Sequence, residues 1–220
     1  SGLDGGGLAG ETLDDHPVED LRARRRALVA HDRAHPRLYL DLDALARLQD
    51  PAAPRVATLA VEQAGSGPLL PAALLLAARE SARVGDQVGA IGFYRRFLDR
   101  YPEHGDSPAA RFGLAAALES TGEGEEALRL FRGIWITAPL SSFAPVARDR
   151  ERDLTDRGVP APSLTPRERV DRVERLLAGG QATQARIEAD VFVVEGISGD
   201  PLLRALRVAA EASRRLGKSD

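Results

Sequence analysis

Two stretches of this 220-residue chain superimpose residue for residue at an offset of 37. Val84-Gly85-Asp86 is followed by Ala90, by Phe93-Tyr94-Arg95 and by Pro102. Thr121-Gly122-Glu123 is followed, at the same distances, by Ala127, by Leu130-Phe131-Arg132 and by Pro139. Gly180 repeats the step of five residues to a small side chain at Ala185, and Gly217 lies a further 37 residues on. A fixed period of this length marks a chain built from stacked supersecondary units. Each marked position has a physical reading. Glycine makes the tight turn between two helices, and a small alanine lets the second helix approach the first. Tyr94 or Phe131 fills the gap between them, and proline stops the second helix. Each hairpin then leaves an apolar face that only the next hairpin can cover. The interval from Gly122 to Gly180 is longer, at 58 residues, and contains the Pro-rich segment Gly158–Pro166, which reads as an insertion.

The stretches between these marks are helical in character, rich in Ala, Leu, Arg and Glu with β-branched residues scattered. The spacing predicts an all-α chain of about eleven helices, near 18–31, 38–49, 52–64, 69–84, 87–101, 107–121, 123–137, 141–157, 166–178, 181–195 and 199–216. Val191-Phe192-Val193-Val194 has no partner run, so it is assigned to the end of a helix. Thr165-Pro166-Arg167-Glu168 is a capping box with proline at the first helical position, and Gly179-Gly180 supplies the exit. Ser107-Pro108 and Asp200-Pro201 are expected to open helices in the same way, and Tyr101-Pro102 and Ala138-Pro139 to close them. Residues 1–16, rich in Gly and Asp, read as a flexible leader. Residues 17–68 read as N-terminal helices, 69–157 as the repeats, and 158–220 as the inserted segment with further hairpins. Leu216-Gly217-Lys218-Ser219-Asp220 reads as the turn of another repeat, either a polar cap or, preferably, the point at which a longer protein was cut.

Hydrophobic residues at 43% allow a packed core, and a net charge of −3 implies no basic surface for nucleic acid. Only Lys218 is lysine, so nearly all of the 30 basic residues are arginine. There is no cysteine, which excludes disulfides and thiol chemistry. There is no methionine even at position 1, so the chain reads as a processed or excised piece whose signal peptide, if it had one, is not in view. The apolar run from Leu69 to Ala78 is too short to span a bilayer and contains Pro71.

The glycine, alanine, aromatic and proline marks resemble the tetratricopeptide repeat. The family's glycine, small and aromatic positions fall on Gly85, Ala90 and Tyr94, then on Gly122, Ala127 and Phe131. The departures are Leu74 and Ala78, or Arg111 and Ala115, at the family's helix-A Trp and Gly, and Phe97 and Ile134 at its second small position. These bulky residues are expected to push hairpins apart and make the superhelix irregular. Further, Phe93–Pro102, Ser107–Ala117, Glu125–Ile134 with Pro139, Leu164–Leu177 and Gly180–Glu188 together are similar to the N-terminal helical-repeat region of bacterial soluble lytic murein transglycosylases. That resemblance implies a superhelix in the periplasm or cell envelope that supports a C-terminal glycan-cleaving domain. Its partners would be peptidoglycan glycan strands, or a protein or peptide. The catalytic domain would carry a Glu-Ser pair, its Glu the general acid, followed by a Gly-Leu-Met-Gln element. Glu80-Ser81 and Glu119-Ser120 supply the dipeptide without the second element, so both are read as a solvated helix face and a turn, and no catalytic residue is assigned. A stand-alone repeat adaptor that binds a peptide or protein in its concave groove is the alternative.

In the repeat family helix A lines the concave face, and the corresponding candidates for binding are Arg79, Arg83, Phe112 and Glu119, which could equally cover neighbouring hairpins. No cofactor or metal is assigned. His31 and His35 are four apart, as metal ligands on one helix face would be, but the glutamate of a zinc protease motif is missing and Pro36 ends the helix. His16 and His104 fall in loops without evident partners. Gly217-Lys218-Ser219 lacks the preceding glycine and strand of a phosphate loop, and Gly5-Gly6-Gly7 reads as linker. Arg22, Arg24, Arg25 and Arg26 are screened by Glu19, Asp20 and Asp32 and read as a solvated face. Trp135 aligns with Leu98 and reads as packing rather than as a ligand platform.

Overall fold

The structure, a computed structural model, describes residues 53–217. They form nine helices: α1 (Ala53–Ala64), α2 (Leu70–Arg83), α3 (Gln87–Arg100), α4 (Ser107–Ser120), α5 (Gly124–Thr137), α6 (Phe143–Asp156), α7 (Pro166–Ala178), α8 (Ala182–Val194) and α9 (Asp200–Leu216). No strand occurs among the described residues, and Val191–Val194 ends α8. Each observed helix begins and ends within two residues of its expected bounds. The expected helices near 18–31 and 38–49 and the expected leader lie outside the described residues.

The turns explain this agreement. Gly85, Gly122, Gly158 and Gly180 all hold φ between 84° and 88°, and Gly196 holds 67°. At each of the five, the glycine amide donates to a carbonyl three residues back, and the next amide donates to one five residues back, at 2.9–3.2 Å. This is the Schellman arrangement, in which a left-handed residue satisfies the orphan carbonyls of a helix end, and side chains with a Cβ rarely adopt it. Two of these turns, and the chain at Gly217, hold features that the sequence spacing hid. Gly158 follows Gly122 by 36 residues and makes the same turn, yet the chain then runs without helix from Val159 to Leu164. The segment read as an insertion therefore starts where the second helix of a third hairpin would start. Val159 and Ala161 pack on the core in its stead. Gly196 adds a turn that the period did not mark, and Gly217 departs the other way, with φ −73° in the right-handed region.

Two starts also differ from expectation. Ser107 is the first helical residue of α4, and its buried hydroxyl donates to the Tyr101 carbonyl at 2.9 Å rather than accepting from a helix amide. Gly199, with φ 75°, precedes α9, so Asp200 lies inside the helix. Thr165 does form the full box: its hydroxyl accepts from the Glu168 amide at 3.2 Å, and its own amide donates to Glu168 Oε2 at 2.8 Å. Thr165→Ala is expected to lower stability by about 1 kcal/mol, read as a lower urea midpoint at unchanged slope. An unchanged midpoint would mean that packing alone holds the start of α7.

Helix packing follows chain order. Each helix from α1 to α6 lies against the next, and α2, α4 and α6 also touch side by side. This makes one layer of α2, α4 and α6, backed by α3 and α5. Ala90, Ala127, Phe97, Phe131 and Ile134 are fully buried between the layers. Gly113 on α4 is the seat of Tyr94, since a Cβ there would lie 2.4 Å from the phenolic oxygen. A second core forms where α7, α8 and α9 pack on one another, around Val173, Ala185, Phe192 and Val208. Position 189, which aligns with Tyr94 and Phe131, is a buried alanine, and Phe192 occupies the place of Phe97 and Ile134. Arg204 of α9 ties this unit together through Glu174 and Asp171 of α7 at 2.5–2.9 Å, and those hydrogen bonds raise its already high pKa. The two cores meet where α7 rests on α5 rather than on its sequence neighbour α6.

Candidate functional site

The seam between the two cores is built around Trp135, the only tryptophan of the chain. It lies near the end of α5, one turn beyond the fully buried Phe131 and on the same side of the helix. A small cluster of Trp135, Ile136 and Ala144, with Leu164 against it, joins the cores. The indole Nε1–H donates to Glu151 Oε2 of α6 at 2.5 Å. Glu151 Oε1 also accepts from Arg132 Nε at 2.7 Å, so this buried carboxylate carries a charged and a neutral donor together. Arg132 Nη1 reaches on to the Pro162 carbonyl at 2.5 Å and ties the non-helical segment 159–164 to the seam.

Two guanidinium groups lie over the indole. Arg172 of α7 stands 5.1 Å from the ring centroid and Arg148 of α6 stands 5.4 Å away, within the range of a cation–π attraction. The two cations differ in their remaining contacts. Arg172 is half-buried, forks onto Glu188 of α8 at 2.9 and 3.0 Å, and donates to the Trp135 carbonyl at 2.5 Å. Arg148 is exposed and has no carboxylate partner among the described residues. Beside them opens a cleft of about 260 Å³ lined by Trp135, Leu164, Arg169, Arg172, Val191 and Phe192 among others. Arg169 closes its far end, stacked 4.8 Å over the Phe192 ring and paired with Glu195. A second hollow of about 310 Å³ shares Trp135, Arg148 and Arg172 and adds Pro139, Pro145, Asp149 and Arg152.

The four candidates expected for a concave face sit elsewhere and are not brought together. Phe112 packs edge-on to Phe131 at 5.4 Å and against Phe143 at 5.3 Å, joining α4 to α5 and α6. Glu119 accepts from Arg150 Nη2 at 2.5 Å and from Arg157, so it also links α4 to α6. Arg83 pairs with Glu80 at 2.8 Å. Arg79 is exposed, and its charge opposes the rise in the Tyr94 pKa that burial causes. The Glu-Ser pairs likewise have partners within the fold. Glu80 and Ser81 are buried rather than solvated, and the Ser120 hydroxyl donates to the Ala116 carbonyl of its own helix at 2.9 Å.

His104 has ring neighbours in Phe97 at 5.5 Å and Tyr101 at 6.4 Å, and its Nδ1 accepts from the Asp106 amide at 3.2 Å. Among the described residues no three His, Asp or Glu side chains gather to hold a metal ion, and no helix is long and apolar enough to cross a membrane. His16, His31, His35, the Arg22–Arg26 cluster, Gly5-Gly6-Gly7 and Lys218-Ser219 lie outside the described residues. The seam escaped sequence reasoning because its parts come from four helices and the segment 159–164; the one available signal was a lone tryptophan aligned with the only partly buried Leu98. No family model matches the chain, and no curated protein matches it in sequence.

Proposed function

We propose that this chain is a non-catalytic helical-repeat module of the tetratricopeptide-like kind, which recognises a partner and positions the protein on it. The observation that carries the reading is the repetition of one hairpin. Gly85 and Gly122 make the same turn, Ala90 and Ala127 are both fully buried at the same step, and Tyr101 and Ala138 close α3 and α5 with matching bonds of 2.8 Å to Phe97 and Ile134. Units of this kind present extended surfaces rather than a reaction centre. The two carboxylates in Glu-Ser pairs, Glu80 and Glu119, are engaged by arginines within the fold, which supports a structural role for them.

The resemblance to the N-terminal region of lytic murein transglycosylases supports a cell-envelope setting, with peptidoglycan glycan strands as the partner. The second reading is a stand-alone adaptor for a peptide or protein. The size of the Trp135 cleft favours it, because about 260 Å³ takes a side chain or two rather than a glycan strand. Sedimentation with purified murein sacculi separates the two. The first reading expects the chain to pellet with sacculi and to release no soluble glycan fragments. A chain that stays in the supernatant leaves the adaptor. Release of fragments by the chain alone overturns the non-catalytic reading altogether.

A further inference from the structure

From the Trp135 cleft we infer that the chain binds a single carboxylate carried beside an apolar side chain, as at the C-terminal end of a peptide. The inference rests on the reading of the chain as a recognition module and names the chemistry that its seam accepts. The argument begins with charge. Around the cleft, Glu188 is bound by Arg172 and by Gln184 at 2.9 Å, Glu151 by Arg132 and Trp135, and Asp149 lies 3.4 Å from Arg152. Arg169 is taken by Glu195. Of the three arginines that line the cleft, Arg148 is the one with no carboxylate within ion-pair distance among the described residues. One guanidinium without a bound carboxylate suits a ligand that brings one carboxylate. A phosphate dianion would bring a second charge toward Asp149, Glu151 and Asp156, which flank Arg148 and Arg152.

Geometry selects the kind of anion. Arg148 lies over the indole, and a guanidinium carries a planar fork of N–H donors which carboxylates accept in two parallel bonds. Stacking also restricts the side chain beforehand, so less freedom is lost when the ligand arrives. The wall beyond the fork is apolar: Leu164, Val173, Val191 and Phe192 line the cleft next to Trp135. A carboxylate seated on Arg148 therefore places an adjoining aliphatic side chain within reach of that wall. The volume admits such a group and excludes a helix or a folded loop.

Trp135 makes the test direct, since the emission of a chain with one tryptophan reports on this cleft alone. The probe is N-acetyl-glycyl-leucine with a free carboxylate, titrated into the whole chain beside the same compound as its C-terminal amide. A third probe, an amidated peptide with an internal glutamate next to leucine, separates a terminal carboxylate from a side-chain one. The free acid is expected to shift Trp135 emission saturably, with the terminal amide at least about tenfold weaker, as loss of a charge-assisted fork implies. Arg148→Gln is expected to weaken the acid by the same factor at unchanged helical content, and Arg148→Lys to recover part of it. Equal binding of acid and amide, or an Arg148→Gln chain that binds the acid like the parent, overturns the inference. So does tighter binding of the internal glutamate. Failure here with retention on murein leaves the module reading standing, and the converse result leaves the cleft standing without murein.

Discussion

Phe131→Ala is expected to destabilise the chain by about 3–5 kcal/mol, the largest loss of any single truncation considered for this fold. The side chain is fully buried on α5, in the position that fills the gap between the two helices of a hairpin, as Tyr94 does one repeat earlier. Its removal takes away apolar area and leaves a cavity that the stiff layer of α2, α4 and α6 cannot fill by collapse. It also removes the partner on which the Phe112 ring packs edge-on, and Phe112 in turn touches Phe143 of α6. One truncation thus loosens α4, α5 and α6 together. A loss of this size is a large share of the 5–15 kcal/mol that holds an ordinary domain. Because the core around Val173 and Phe192 is separate, the loss falls on one unit. Calorimetry is expected to show the first unit melting ahead of the second, as in a chain whose stability adds up along its length. Phe131→Leu, which keeps most of the volume, should lose about 1.5 kcal/mol at most. A Phe131→Ala chain that melts within a degree or two of the parent would show that the repeat mark at this position is not a packing anchor.

That anchor was legible in the sequence because it recurs. Glycine, alanine, aromatic and proline at one spacing each stand for a local constraint, and local constraints survive without any knowledge of the partner helix. The same holds for the box at Thr165 and Glu168 and for the stops before Pro102 and Pro139. What lay hidden depends on contacts across the stack. Glu119 finds Arg150 and Arg157 at separations of 31 and 38 residues, far outside the three- and four-residue spacings that a helix surface reveals. Glu188 and Arg172 meet across α7 and α8 in the same way. Gly158 was missed for a different reason. Its turn is the repeat's own, but the helix that should follow is absent, so the pattern has nothing to extend into. The missing helix is also what leaves Trp135 at the edge of the seam, with Leu164 and Arg172 as neighbours in place of another hairpin.

Glu151→Leu is expected to lower stability by about 2–3 kcal/mol and to change Trp135 emission in the folded state. The carboxylate is buried on α6 and accepts from two donors that have different origins, the Trp135 indole and the Arg132 guanidinium. A leucine fills the space but accepts nothing. The indole N–H and one face of Arg132 are then stranded, and an unmet donor in a dry site loses its full hydration. Arg132 is only partly buried, with 12% of its side chain exposed, so water can recover some of that loss. The figure therefore stands below the 3–5 kcal/mol of a fully buried broken pair. Glu151→Gln sharpens the test. Its amide keeps one acceptor but turns a donor toward either the indole or the guanidinium, so it should lose nearly as much as leucine despite its matched shape. Arg132→Leu in the leucine background should then lose less than it does alone, since the guanidinium already lacks its partner there. The exposed Arg148→Gln serves as the comparison and should change stability by no more than about 0.5 kcal/mol. If Glu151→Leu matched Arg148→Gln in both stability and emission, the bond from Trp135 to Glu151 would not be what fixes the indole. The stacked guanidinium over it would then have no rigid base, and the cleft would lose the preorganisation on which its recognition of a carboxylate depends.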